Sequence, residues 1–153
     1  MAINDITAAS STLIIDIKGL ATGYKLDHFS ADGVLSADEV QYAEYREGVD
    51  GHLSVGIVLN PYPITINLET GSNSVELLRR LVNKQLKNLR TYTVNLTVTY
   101  GPEDSKTIVT YLNGALTSGP QLPNIGKVLE ATSWKFVFER CEVATQKSET
   151  GVN

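Results

Sequence analysis

At 153 residues the chain has the length of one domain that buries a core of its own. A hydrophobic share of 42% against 20% charged residues excludes a disordered chain, and a net charge of −4 argues against a protein that grips nucleic-acid phosphates. The lone cysteine, Cys141, excludes an intrachain disulfide and a cysteine-rich metal site.

Residues 1–10 are small and polar and read as an N-terminal arm. They lack the basic segment and apolar run of a signal peptide, and no window reaches the ~20 apolar residues of a membrane span. The expectation is a protein made and assembled in a cytoplasm, with no membrane partner. Thereafter the dominant signal is period-two alternation, which places every other side chain on one face of a strand. Ser11 to Ile17 is the first such run.

Residues His28 to Glu39 match much of a calcium-binding EF-hand loop, with Ser30, Asp32, Gly33, Leu35, Ser36 and Glu39 in register. The first ligand position holds His28 rather than an aspartate. The segment before it, containing Gly19 and Gly23, makes a poor entering helix. We therefore read Ala31-Asp32-Gly33 as a turn. A calcium- or ligand-binding β-sandwich using residues 28–39 is the alternative.

Val40 to Arg46 and Leu53 to Leu59 alternate on either side of Gly48-Val49-Asp50-Gly51, which reads as a hairpin loop. Pro61 and Pro63 have no N–H to donate, so residues 60–63 are expected to form a bend or bulge. Ile64, Ile66 and Leu68 then alternate with Thr65, Asn67 and Glu69. A helix follows, with Asn73 as N-cap and Glu76 three residues on. Val75, Leu78, Leu81, Val82 and Leu86 form its apolar stripe, and Arg79, Arg80, Lys84, Lys87 and Arg90 its polar side.

From Thr91 to Tyr100 the alternation is clearest, with Tyr92, Val94, Leu96, Val98 and Tyr100 on one face. A weaker strand runs from Lys106 to Leu112 and ends at Asn113-Gly114. The Gly-, Pro-, Ser- and Asn-rich stretch from Asn113 to Lys127 reads as a long irregular loop. The last strand, Ser133 to Val143, carries Trp134, Phe136 and Phe138 on one face, and residues 144–153 read as a flexible tail. No linker, repeat or composition break interrupts the chain. The expected fold is one domain over residues 1–153, mainly β with one α-helix, as an antiparallel sandwich or barrel.

Catalytic groups do not converge. His28 and His52 each stand apart from any partner that would make a metal pair, and no nucleophile elbow, Walker loop or dinucleotide fingerprint is present. No enzyme activity, metal or cofactor is expected.

The order of elements resembles the small tail tube proteins of tailed phages, especially contractile ones. The likeness is carried by Gly48-Val49-Asp50-Gly51, by Pro63-Ile64-Thr65-Ile66-Asn67-Leu68, by Ser72 to Leu78 entering the helix, and by Trp134-Lys135-Phe136-Val137-Phe138. It spans roughly residues 11–143. The resemblance implies a structural virion protein that forms stacked hexameric rings, each subunit giving four strands to an inner barrel through which DNA is ejected. Twenty-four strands at ~4.8 Å spacing would give a backbone diameter of about 37 Å. It also implies tail sheath, baseplate or initiator and terminator proteins as partners, and DNA passing without specific binding. On this view Val40, Tyr42, Glu44, Arg46, His52, Ser54 and Val58 line the tube. The loop with Lys25, His28, Phe29, Asp32 and Gly33 reaches the adjacent ring. Arg79, Arg80, Lys84 and Lys87 form the outer face of the helix. The tube of a related contractile injection or secretion system is an open alternative.

Overall fold

A computed structural model describes residues 11–26, 35–101, 105–123 and 125–147. Among them seven strands pair into one antiparallel sheet. These are β1 (Thr12–Ile17), β2 (Ala21–Lys25), β3 (Leu35–Ala37), β6 (Tyr62–Leu68), β7 (Val94–Tyr100), β8 (Ser105–Ser118) and β9 (Thr132–Lys147), in the order β2-β1-β7-β8-β9-β6-β3. Two more, β4 (Ala43–Glu47) and β5 (Leu53–Ile57), pair only with each other. The helix α1 (Asn73–Asn88) connects β6 to β7.

The core follows from the alternation. Leu13, Ile15 and Ile17 of β1, Ile64, Ile66 and Leu68 of β6, Val94, Leu96 and Val98 of β7, and Trp134, Phe136 and Phe138 of β9 are all buried. They form one cluster with Val75, Leu77, Leu78 and Leu81 of α1. Strands near opposite ends of the sheet therefore share a core. The sheet thus curls around a shared core, into which the helix packs its apolar side chains.

Four expectations need correcting. Ser72, not Asn73, caps the helix: its Oγ accepts from the Val75 N–H at 3.2 Å. Substituting Ser72→Ala removes that acceptor from a buried site and is expected to cost about 1 kcal/mol. Chemical denaturation reads this directly, and an unchanged midpoint would contradict the cap.

Pro63 lies inside β6 opposite Val137 rather than in a bend or bulge. Its carbonyl accepts from the Asp38 N–H at 3.4 Å, so its ring nitrogen faces the same side, just past the end of β3, at the edge of the paired ladder. The third correction concerns Asn113-Gly114, which bulges β8 without ending it. Three β8 steps, Gly114 to Tyr111, oppose two on β7, Val94 to Leu96. Asn113 takes a left-handed φ of 55°, its N–H donating to Asn95 Oδ1 at 2.9 Å, and the strand continues to Ser118. Finally, β9 continues to Lys147 opposite Ser105, so residues 144–147 are strand and not tail.

Candidate functional site

The hairpin β4–β5 is the feature that the rest of the fold does not explain. Its tip closes through Gly48 N–H to His52 O at 2.8 Å and Gly51 N–H to Gly48 O at 3.0 Å, with Gly51 at φ 84°. The His52 N–H donates to Asp50 Oδ1 at 3.2 Å, and the His52 ring stands 3.7 Å from the other carboxylate oxygen. At its base the Val58 N–H reaches Tyr42 O at 3.0 Å, and Asn60 Nδ2 reaches Gln41 O at 2.9 Å. The ladder runs from Ala43 opposite Ile57 to Glu47 opposite Leu53.

This register sorts the side chains by face, because directly opposed residues of an antiparallel pair point the same way. Glu44, Arg46, Ser54 and Gly56 share one face, and Tyr42 and Val58 extend it. The strand residues expected to line a channel are thus brought together on a polar surface. Val40 precedes β4, and His52 sits between the tip and β5. The opposite face carries Ala43, Tyr45, Glu47, Leu53, Val55 and Ile57. There Tyr45 is 74% exposed, Leu53 and Val55 63%, and Ile57 81%, with Leu59 beyond them at 95%. The alternation at Leu53 to Leu59 signalled a strand with an apolar face. It did not signal that the chain's own core leaves that face uncovered.

The other expected surfaces divide. Of the inter-ring loop, Lys25 lies in β2, while His28, Phe29, Asp32 and Gly33 fall outside the described residues. The chain after them forms β3 against β6, not the exiting helix of an EF-hand. Among the described residues no group of three His, Cys, Asp or Glu side chains could hold a metal ion. Among the same residues no helix is long and apolar enough to cross a membrane.

On α1, Arg79, Arg80 and Lys87 are exposed as expected, and make no salt bridge among the described residues. Lys84 is not on the outer face. It is half-buried, donates to Gly19 O at 3.4 Å and lies 5.9 Å from the centre of the Tyr92 ring. Leu86, placed in the apolar stripe, is 69% exposed beside the cations, and Leu77 is buried instead. Arg90 sits 5.1 Å from the same ring, and Asn88 Nδ2 donates to the phenol oxygen. The Asn88 hydrogen bond, with help from Arg90 and Lys84, holds the Tyr92 phenol below its ordinary range against the opposing pull of burial.

Tyr111 behaves oppositely. Burial first, then the neighbouring Cys141, pushes its phenol up to about 12. Burial likewise pushes the Cys141 thiol up. A raised folded-state value means that the fold favours the neutral phenol. That contribution is whole below the unfolded value near 10 and is lost as pH rises through about 12. Ultraviolet titration of the tyrosines should show a late step that Tyr111→Phe removes; an unchanged late step would contradict the assignment.

A groove of about 780 Å³ lies between residues 59–62, 91–93, 113–115 and 137–140. It sits beside the hairpin base and contains no convergent catalytic set.

Comparisons with known proteins bear on the arrangement as a whole. The model of a family described as tail fiber protein gp32 matches residues 4–142. A chain of the anti-feeding prophage cap, the tube-terminating cap, superposes with a TM-score of 0.62 at 13% identity, covering 95% of each chain. A chain of the anti-feeding prophage baseplate gives 0.58 at 10% identity, over 94% of this chain and 97% of that one. A chain of the sheath–tube complex of an extracellular contractile injection system, PVC, gives 0.54 at 16% identity, over 89% and 88%. No curated protein matches. At these identities the likeness establishes the fold, which is of the tail-tube type, mainly β with one helix.

Proposed function

The chain belongs to the tail fiber protein gp32 family, and we propose that it is a structural, non-enzymatic subunit of a phage tail tube. Copies close into six-membered rings, the rings stack, and DNA leaves the particle through the channel. The observation that carries this reading is the β4–β5 hairpin, whose apolar face is exposed and whose strands, among the described residues, pair only with each other. A lone two-stranded hairpin is marginal in water, and open edges invite pairing with another chain. A ring of identical copies satisfies both demands at once.

In the ring the face with Tyr42, Glu44, Arg46, Ser54 and Val58 lines the channel. It mixes charge signs and presents no basic stripe that would hold the genome. The apolar face turns outward onto protein. Sheath, baseplate and terminator components are the partners outside the ring, and the mature location is the virion tail.

Negative-stain electron microscopy of concentrated protein tests the reading. Hollow rings or tubes are expected. Slender solid fibres, or a monomer that persists when tail tips are added as nuclei, would overturn it. The superposition on a tube-terminating cap favours a second reading, a ring that ends a tube. Discrete rings that never lengthen, but bind the ends of preformed tubes, would select it. The tube of a contractile injection system shares the architecture, and particles that carry no DNA would point there.

A further inference from the structure

The structure assigns a seat to the exposed hairpin: the outward face of β4–β5 in one copy docks on the basic face of α1 in the next copy. This rests on the ring reading above and names the contact that closes the ring.

The argument begins with charge. Residues 38–58 carry five carboxylates, Asp38, Glu39, Glu44, Glu47 and Asp50, against Arg46 alone, a net −4 with His52 neutral; Glu44 and Arg46 lie on the channel face and cancel each other, so the −4 comes from the other four. Residues 73–90 carry exposed Arg79, Arg80, Lys87 and Arg90 and half-buried Lys84 against Glu76, a net +4. The two segments are equal and opposite, while the chain as a whole is only mildly acidic. Such separation of signs onto two surfaces of one molecule favours head-to-tail association and disfavours like against like.

Apolar character matches as well. Tyr45, Leu53, Val55 and Ile57 on the hairpin need a cover. Helix α1 offers Leu86 at 69% and, at its C-cap, Leu89 at 87% exposure, set among its exposed cations. Arg79, Asn83 and Leu86 fall along one line of the helix, and Arg80, Asn83 and Lys87 along the line beside it. An apolar centre rimmed by charge on both surfaces is the usual anatomy of a specific interface. Within one copy the two surfaces do not serve each other, because the side chains of both are exposed. A head-to-tail contact of this kind generates a ring when the rotation closes, and it leaves the polar face of the hairpin free for the channel.

Charge reversal in two variants tests the contact. Asp38→Lys/Glu39→Lys/Glu47→Lys turns the hairpin segment from −4 to +2, and Arg79→Glu/Arg80→Glu/Lys87→Glu turns the helix segment from +4 to −2. All six positions are exposed, and circular dichroism checks that both variants fold. Each variant alone sets like charge against like and should lose rings by at least about tenfold at low salt. Mixed one to one they restore both contacts in alternation, and rings should return. Rings from either variant alone, or none from a folded mixture, would overturn the inference while the ring reading stands on the wild-type protein. Normal rings with loss only of sheath binding would also overturn it and give the helix face to the sheath. Absence of rings from the wild type would overturn the ring reading, and this inference with it.

Discussion

Val55→Asp is expected to abolish ring formation while leaving the subunit folded. Val55 sits at the centre of the hairpin's apolar face, flanked by Leu53 and Ile57 and opposite Tyr45. In the isolated subunit it is 63% exposed, so a carboxylate there meets water and the core is untouched. Surface changes of this kind move stability within about 0.5 kcal/mol. In the proposed ring the same position would be covered. Burying an unpaired carboxylate costs several kcal/mol after relaxation, and the valine's own burial of about 1.5 kcal/mol is lost as well. The penalty recurs at every subunit interface, so association should weaken by well over 100-fold. Size-exclusion chromatography with light scattering, alongside thermal melting, separates the outcomes. A monomer with unchanged melting is expected. Rings of normal size would show that this face is not an interface, and a collapsed melting temperature would show that the hairpin packs on its own core.

Charge adds a direction to the same argument. Salt should weaken the contact if the acidic hairpin meets the basic helix, because exposed pairs are screened beyond ~8–10 Å at physiological ionic strength. It should strengthen the contact if apolar burial alone drives it.

Much of the fold was legible from alternation, and its failures have local physical causes. The strands carrying Ile64, Val94 and Trp134 read correctly because one face of each is buried and the pattern has no competing signal. Asn113-Gly114 misled because that dipeptide favours left-handed backbone in a hairpin turn. Here the same preference lets Asn113 bulge a continuing strand. Pro63 misled because a missing donor is the common mark of a break, although here it sits at the edge of the β3 ladder while its register with β9 runs on unbroken. Leu86 was placed in the stripe by spacing, but it lies on the flank, beyond the surface the sheet covers. The candidate site was legible as a pair of faces and not as an exposed one. The spacing of Leu53, Val55 and Ile57 is the same whether the cover comes from the chain's own core or from a neighbour.

The aromatic stack on β9 carries the largest expected effect on subunit stability. Phe138 is 1% exposed, its ring 5.3 Å from Tyr111 and 6.1 Å from Phe136. It pairs with Tyr62 on one side and Gly114 on the other. Gly114 has room for no side chain: a Cβ there would stand 2.2 Å from Phe138 Cδ1 and 2.6 Å from the Val137 carbonyl. The ring thus occupies the space that the glycine leaves open. Phe138→Ala should cost about 3–5 kcal/mol through lost burial and the residual cavity. For a domain of this length that lowers the melting temperature by roughly 8–15 °C. Gly114→Ala alone should cost about 1–3 kcal/mol by overpacking. In a Phe138→Leu background the alanine meets a smaller and more adaptable side chain, and its cost should fall by about 1 kcal/mol. The contact with the Val137 carbonyl persists in both backgrounds, so the relief is partial. A double-mutant cycle by urea denaturation measures the coupling. A coupling of zero would mean that the backbone contact alone excludes a side chain at position 114, and that the ring is a bystander.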